Sequence, residues 1–147
     1  VNEFNIFGYE YDGYYEQLDS TMDYFKANMD MLDTETRNKL FLPYTPIYTK
    51  IRDEAPVKYG IDSNVTNSLI ADGCVIEGTV ENCILFRGVT VGKGAIVKNS
   101  IIMQDNYIGP NTSLNCVITD KNVVISDQKT LSGCSDLPYF IQKGTRL

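Results

Sequence analysis

Few side chains in this sequence are of the types that carry out covalent or metal-assisted chemistry. The 147 residues include no histidine, which removes the imidazole base of Ser-His and Cys-His nucleophile pairs and a common metal ligand. The thiols are those of Cys74, Cys83, Cys116 and Cys134. None of them forms a Cys-x-x-Cys pair, so neither a zinc site nor a redox motif is predicted. The chain opens without a secretory signal pattern, so we expect reduced thiols and a cytoplasmic protein.

The overall charge excludes a further class of function. Thirteen Lys and Arg residues against nineteen Asp and Glu give a net charge of -6. A protein that binds the phosphate backbone needs a basic surface, so nucleic acid is not an expected partner. The apolar runs are all shorter than the roughly 18 residues of a membrane-spanning helix, so a membrane is not expected either.

A repeat of six residues dominates the chain between residues 61 and 130. Four segments begin with an asparagine, namely Asn67, Asn82, Asn99 and Asn115, and carry aliphatic residues six apart. These aliphatic residues are Ile70 and Ile76; Leu85, Val91 and Val97; Ile102, Ile108 and Leu114; and Ile118 and Val124. A period of six fits neither a helix (3.6) nor simple strand alternation (2). It is typical of hexapeptide repeats, which form a parallel β-helix with three hexapeptides per turn.

The sequence therefore predicts a mainly β protein with about four stacked coils, in which the aliphatic side chains point inward. Glycine and asparagine are expected at the corners, because they tolerate positive φ. The predicted corner residues are Gly73, Gly78, Gly88, Gly94, Asn106, Asn111 and Asn122. Residues 131–147 are predicted to form a tail that caps the last coil. The alternative reading of this region is a sandwich of short strands.

The first sixty residues lack this repeat. Aromatic and apolar residues alternate over Val1–Tyr15, which predicts one or two strands. Helical spacing of apolar residues behind a capping-box-like start at Ser20 predicts a helix over about 20–32. A second short helix is predicted over 34–40. The prolines between Pro43 and Pro56 are typical of an extended connector.

Residues 1–42 contain too few elements for an independent domain. We therefore expect them to be the end of a truncated domain, joined by a linker over 43–60 to the β-helix over 61–130.

Four segments of the chain resemble the bacterial glucose-1-phosphate adenylyltransferase family (ADP-glucose pyrophosphorylase) of glycogen synthesis. They are Gly13–Ser20, Ala27–Leu32, Pro56–Tyr59 and Asn67–Cys74, and the resemblance covers roughly residues 9 to 130. It implies a nucleotidyltransferase domain followed by a left-handed parallel β-helix. On this basis residues 1–42 are the α/β tail of the nucleotidyltransferase domain. The fragment by itself is not expected to be active.

The main departure from the family lies at Gln17. The resemblance implies an Asp at this position that binds the Mg²⁺ bridging the nucleotide and sugar phosphates, and adenylyl transfer needs such a cation. An amide oxygen is neutral and gives up most of the electrostatic contribution of a carboxylate. We therefore predict a degenerate site that holds no metal, in a non-catalytic, regulatory subunit. The alternative is that Gln17 is a surface residue at the start of the helix.

The resemblance also implies an anionic effector site, for phosphate or a sugar phosphate. The segment Ile118–Val123 is similar to a family segment whose lysine contributes to that site. Lys121 is therefore the first candidate and Lys58 the second, because an ammonium suits a phosphate as a point charge. The alternative is that both are solvated surface lysines.

Three functional classes follow from these observations. The first is a regulatory subunit that associates with a catalytic subunit, to which Mg²⁺ belongs, through the β-helix as a homo- or hetero-oligomer. The second is a fragment of a catalytically competent subunit of the same enzyme. The third and least favoured is a hexapeptide-repeat acyltransferase, because those enzymes use a histidine base.

Overall fold

The computed structural model describes residues 4–147, so Val1–Glu3 of the predicted N-terminal strands lie outside the described residues. The strands predicted over 4–15 are not formed, because this segment has neither helix nor strand. Alternation produces a strand only where a neighbouring strand pairs with the backbone and an apolar surface covers one face. Here the apolar side chains face solvent, with Ile6 92% and Tyr9 88% exposed.

The two predicted helices are present as α1 (Thr21–Asp30) and α2 (Thr34–Leu40). Ser20 caps α1, since its Oγ accepts a hydrogen bond from the Asp23 N–H at 3.1 Å. Asp33 caps α2 by accepting from the Thr36 N–H at 2.7 Å. The hydrogen bonds from the Thr36 N–H and hydroxyl lower the pKa of the Asp33 carboxyl group. None of the helices described is long and apolar enough to cross a membrane.

Fifteen short strands follow the helices in the described part of the chain. They are β1 (Lys58–Tyr59), β2 (Asn64–Thr66), β3 (Leu69–Ile70), β4 (Val75–Ile76), β5 (Thr79–Glu81), β6 (Ile84–Leu85), β7 (Thr90–Val91), β8 (Ile96–Lys98), β9 (Ile101–Ile102), β10 (Tyr107–Ile108), β11 (Ser113–Asn115), β12 (Val117–Thr119), β13 (Val124–Ile125), β14 (Thr130–Ser132) and β15 (Tyr139–Ile141).

Every third strand belongs to the same sheet, and all pairs are parallel. Sheet A contains β1, β4, β7, β10 and β13; sheet B contains β2, β5, β8, β11 and β14; sheet C contains β3, β6, β9, β12 and β15. The predicted fold class is confirmed: the chain forms a parallel β-solenoid of about four turns, the architecture of the hexapeptide-repeat left-handed β-helix. An antiparallel sandwich is excluded by the parallel pairing.

The stacked strands extend beyond residues 61–130 at both ends. β1 pairs with β4, with Lys58 opposite Val75. β15 pairs with β12, and Arg146 bridges to Val124. Part of the tail thus adds backbone hydrogen bonds to the last coils, and Ile141 is buried there.

The predicted inward residues from Ile70 to Leu114 all lie in the core, whereas the two predicted for the last coil do not. Leu85 lies opposite Ile102, and Ile102 lies opposite Thr119. Thr119, and not the predicted Ile118, therefore occupies the inward position, while Ile118 points outward. By the same register Ile125 replaces the predicted Val124 in the core. The prediction was wrong here because this coil is one residue longer than the asparagine at position 115 suggests.

Five of the seven predicted corner residues are confirmed, because they have positive φ. Positive φ is found at Gly73, Gly88, Gly94, Asn111 and Asn122. The prediction for Asn106 was wrong. Asp105 adopts the positive φ (58°) at this corner, and the side chain of Asn106 points inward. Gly78 is also absent from the positive-φ residues. Glycine is needed there for space, since a Cβ would lie 2.8 Å from the Gly92 carbonyl oxygen.

α1 packs on the outer face of sheet C. Phe25, which is 6% exposed, contacts the outward side chains of Ile101 and Ile118, which are almost fully buried. The outward Leu69 and Ile84 of the same sheet are only half-buried. The helical segment therefore covers the middle of this face.

Candidate functional site

The segment that contains Gln17 is held against α1 by side-chain contacts. The Tyr14 hydroxyl donates to Asp30 Oδ2 at 3.2 Å, and Lys26 Nζ lies 2.8 Å from Glu16 Oε1. Burial, with Asp30 beside it, raises the pKa of Tyr14. The ion pair with Glu16 raises the pKa of Lys26. Gln17 follows directly and is exposed.

Gln17 bonds to the residues two positions before and two positions after it. Its Nε2 donates to Asp19 Oδ2 at 2.6 Å, and its Oε1 accepts from the Tyr15 hydroxyl at 3.5 Å. The amide and the carboxylate therefore bond to each other, whereas a Mg²⁺ site needs several oxygens aimed at one point. Over residues 4–147, no group of three or more His, Cys, Asp or Glu side chains could hold a metal ion. Gln17 thus contributes no carboxylate at the position where the resemblance implies a ligand of Mg²⁺.

Lys121 lies at the corner that joins sheet C to sheet A. Its side chain is exposed, and its backbone N–H donates to Asp120 Oδ1 at 2.7 Å. Backbone bonds between successive coils place other residues at the same corner: Asp105 N–H to Arg87 O, Asn122 N–H to Gln104 O, and Gly144 N–H to Lys121 O, each at 3.0 Å. Arg87, Gln104, Lys121 and Lys143 thus form one column, which we call the basic corner.

The basic corner has the spacing and groups needed to bind an anion. Strands in a sheet lie about 4.8 Å apart, so Arg87 and Lys121 are about 10 Å apart along the axis and Lys143 is one step further. Long side chains can span these distances. Arg87 Nε and Gln104 Oε1 are buried without a hydrogen-bond partner among the described residues. A guanidinium and two ammonium groups in one column can bind the oxygens of a phosphate.

Acidic side chains limit the charge of the basic corner. Asp72 precedes Arg87 in the column, because the Gly88 N–H donates to Asp72 O at 3.2 Å. Asp120 is the sequence neighbour of Lys121. The three cations are therefore partly balanced, and the site favours a compact anion over a long polyanion.

Lys58 lies elsewhere. It is exposed on β1, the outermost strand of sheet A, beside Glu77 and Lys93 at a shallow hollow of about 340 Å³. Four strand spacings separate β1 from β13, so Lys58 and Lys121 are about 19 Å apart along the axis. The structure does not bring the two predicted effector residues together.

Sequence reasoning missed Arg87 and Lys143 as neighbours of Lys121. Arg87 was detectable, because it precedes Lys121 by two coils of 17 residues, with Gln104 between them. Lys143 was not, because the loop between β14 and β15 interrupts the period.

The thiols are all free in the described part of the chain. Cys74, Cys83 and Cys116 are buried, and Cys134 is exposed. Burial raises the pKa of Cys83 to about 12 and raises that of Cys74 as well. The buried thiols are thus protonated at neutral pH and poor nucleophiles.

Comparison with known proteins relates this geometry to a family. Residues 55–134 match the family model described as GlmU-like, C-terminal hexapeptide. The glycogen biosynthesis protein GlgD of Bacillus subtilis (strain 168) is 48% identical over 92% of this chain and 40% of its own length. GlgD of Geobacillus stearothermophilus is 50% identical over 95% of this chain and 48% of its own length.

A glucose-1-phosphate adenylyltransferase of Acetivibrio thermocellus is 35% identical over 80% of this chain and 28% of its own length. The chain thus spans less than half the length of these three curated relatives. The resemblance stated from the sequence motifs is confirmed. By its hexapeptide coils and by these matches, the chain belongs to the GlmU-like, C-terminal hexapeptide family and is similar to GlgD and glucose-1-phosphate adenylyltransferases.

Proposed function

We infer that this chain is the assembly and regulatory part of a non-catalytic subunit that modulates a catalytic glucose-1-phosphate adenylyltransferase in glycogen biosynthesis. The catalytic partner joins ATP and glucose 1-phosphate to give ADP-glucose and pyrophosphate. Two relatives carry the name glycogen biosynthesis protein, and others the name of the adenylyltransferase itself.

Gln17 is the single observation that carries the non-catalytic reading. At the position where the resemblance implies a Mg²⁺-binding carboxylate, the chain has an exposed amide that bonds to Asp19 and Tyr15. A neutral ligand does not compensate the charge that develops between two phosphates in adenylyl transfer. A subunit with this change can still bind partners and effectors.

The basic corner supports an effector role for the same subunit. Lys121, with Arg87 and Lys143 on neighbouring coils, offers donors for phosphate or a sugar phosphate. Lys58 is a separate and weaker candidate because Glu77 and Asp62 lie beside it. Binding at a coil corner can be transmitted along the stacked strands to an interface formed by the β-helix.

The test is the rate of ADP-glucose synthesis by the catalytic partner, titrated with the complete protein that contains this chain. The complete protein is also assayed alone, with Mg²⁺, ATP and glucose 1-phosphate. We expect it to be silent alone and to raise the partner's rate or shift its response to phosphate esters.

Synthesis by the complete protein alone would favour the second candidate, a catalytically competent subunit, and would contradict the role given to Gln17. An unchanged partner rate, together with no association of the two proteins in sedimentation, would contradict the regulatory role. Acyl transfer is disfavoured, because the histidine base of hexapeptide-repeat acyltransferases has no counterpart in this sequence.

A further inference from the structure

A cleft of about 820 Å³ separates the helical segment from the corner that joins sheets B and C. Its size falls within the range of about 300–1,000 Å³ that is usual for small-molecule sites. It lies at a different corner of the β-helix from the basic corner, and its lining shares no residue with it.

One wall of the cleft is a ladder of amide side chains. Asn67 Nδ2 donates to Asn82 Oδ1 at 2.7 Å, Asn82 to Asn99 at 3.3 Å, and Asn99 to Asn115 at 2.9 Å. We call these four residues the asparagine ladder. An amide has two N–H donors and two acceptor lone pairs. The inner members therefore each keep one donor and one acceptor, repeated about every 4.8 Å along the axis.

The opposite wall is apolar. It consists of Phe25, Met29 and Leu32, which belong to α1 and the turn that follows it. The only charged side chain that the cleft lining contains is Asp33. Its carboxylate already accepts bonds from the N–H and hydroxyl of Thr36, at 2.7 and 2.9 Å.

These two walls define the chemistry of a ligand. A row of amides provides neutral donors and acceptors for hydroxyl groups, and the apolar wall provides a surface for C–H groups. A lining without positive charge and with one carboxylate disfavours phosphates and other anions. We propose that the cleft between α1 and the asparagine ladder binds a neutral saccharide, with the hydroxyls on the amides and a pyranose C–H face on the apolar wall.

The experiment uses the complete protein and maltotriose as the probe, in isothermal titration calorimetry. Asn82 and Asn99 have positive φ, at 52° and 46°, so Asn82→Gly and Asn99→Gly remove the amides while keeping the backbone conformation. We expect the double variant to weaken maltotriose binding at least about tenfold, which corresponds to the loss of two hydrogen bonds.

Matched controls are available on other corners. Asn111 and Asn122 also have positive φ, at 55° and 58°, and neither lines the cleft. The double variant Asn111→Gly with Asn122→Gly should bind maltotriose within about twofold of the unaltered protein. Melting curves of both double variants show whether the fold is retained.

Three results would overturn the proposal. They are undetectable maltotriose binding at millimolar concentration, equal weakening by both double variants, and tighter binding of glucose 1-phosphate that the ladder variants abolish. The inference does not depend on the proposed regulatory role. Lys121→Ala should leave maltotriose binding unchanged, so failure of the effector site and failure of the saccharide site give different results.

Discussion

Asn106 donates a hydrogen bond from Nδ2 to the hydroxyl oxygen of Thr119 inside the β-helix, where both side chains are buried. The same amide nitrogen donates to Asp120 O at 2.9 Å, and Oδ1 accepts from the Val123 N–H. A polar side chain in the core is thus fully engaged with the next coil. It ties the corner that carries Lys121 to the coil before it.

The first prediction concerns this buried amide. Asn106→Leu leaves the buried Val123 N–H without its acceptor and removes the donor to the Thr119 hydroxyl, so the free energy of unfolding should fall by about 2–4 kcal/mol. Urea denaturation measures the change. In a double-mutant cycle, Thr119→Val should cost less in the Asn106→Leu background than alone. Equal costs in both backgrounds would show that the two side chains are not coupled.

The second prediction concerns the contact between α1 and sheet C. Phe25→Ala opens a cavity over Ile101 and Ile118, at an expected cost of about 3 kcal/mol. We expect faster hydrogen exchange in α1, with the strands still protected, because the strands keep their own ladder of bonds. Met22→Ala, at a side chain of the same helix that is 43% exposed, should have little effect. Uniform loss of protection throughout the chain would contradict this.

The third prediction concerns the basic corner. Lys121→Ala and Arg87→Ala should each weaken binding of inorganic phosphate by the complete protein about tenfold, since a charge-assisted hydrogen bond contributes about 1.5–3 kcal/mol. The matched control is Lys93→Ala, because Lys93 lies at another corner, 77% exposed and 4.0 Å from Asp62. Calorimetry at low salt gives the affinities. If all three variants lost the same phosphate affinity, attraction by the overall surface charge, and not a specific site, would explain the binding.

The fourth prediction concerns Gln17. Gln17→Asp in the complete protein should not restore Mg²⁺-dependent synthesis of ADP-glucose, because one added carboxylate beside Asp19 is not a complete ligand set. The rate with and without Mg²⁺ is the measurement, with the catalytic partner assayed in parallel as the positive control. Activity gained through this single change would mean that the rest of the metal site is intact.

The fifth prediction concerns pH. Burial raises the pKa of the Cys83 thiol to about 12 from 9.0. Above pH 9 the unfolded chain releases this proton while the folded chain keeps it. Stability should therefore fall with rising pH, by about 1.4 kcal/mol per unit for this thiol between pH 9 and 12. Cys83→Ala should reduce that slope.

The matched control for Cys83 is Val97→Ala, at a buried side chain that carries no titratable group, which should leave the slope unchanged. Slopes are compared and not absolute stabilities, because each buried substitution also leaves a small cavity. If the free energy of unfolding fell equally steeply with pH in Cys83→Ala and in the unaltered protein, the raised pKa assigned to Cys83 would be contradicted.

The elements that the sequence predicted well are those specified by local patterns. Ser20 and the apolar spacing behind it placed α1 within two residues of its observed ends. The six-residue period defined the β-helix, because each inward position must be filled for the coils to stack. Local patterns do not specify pairing partners, which is why the predicted N-terminal strands were wrong: Phe4 and Ile6 alternate in the sequence, but both side chains face solvent.

The errors inside the β-helix come from coil length. The repeat was counted from Asn115, whereas the corner residue with positive φ is Cys116. One residue was enough to exchange Ile118 with Thr119, as the side chains of a strand alternate between faces. The effector candidate Lys121 was identified by resemblance, but its companions depend on which residues stack in the same column. That information resides in the register and not in any single segment.

The strands that pair are separated by a nearly constant number of residues along the sequence, which has a consequence for how the chain folds. Each strand bonds to strands 15 or 17 residues away, except for the 22-residue step from β12 to β15. Loop closure between successive coils therefore costs about the same free energy at each step, and a coil gains its contacts only from its neighbours. Folding can thus start in the central coils and spread outward one coil at a time. The two terminal coils, β1 to β3 and β13 to β15, form the ends of the three sheets, so we expect them to open before the central coils on unfolding.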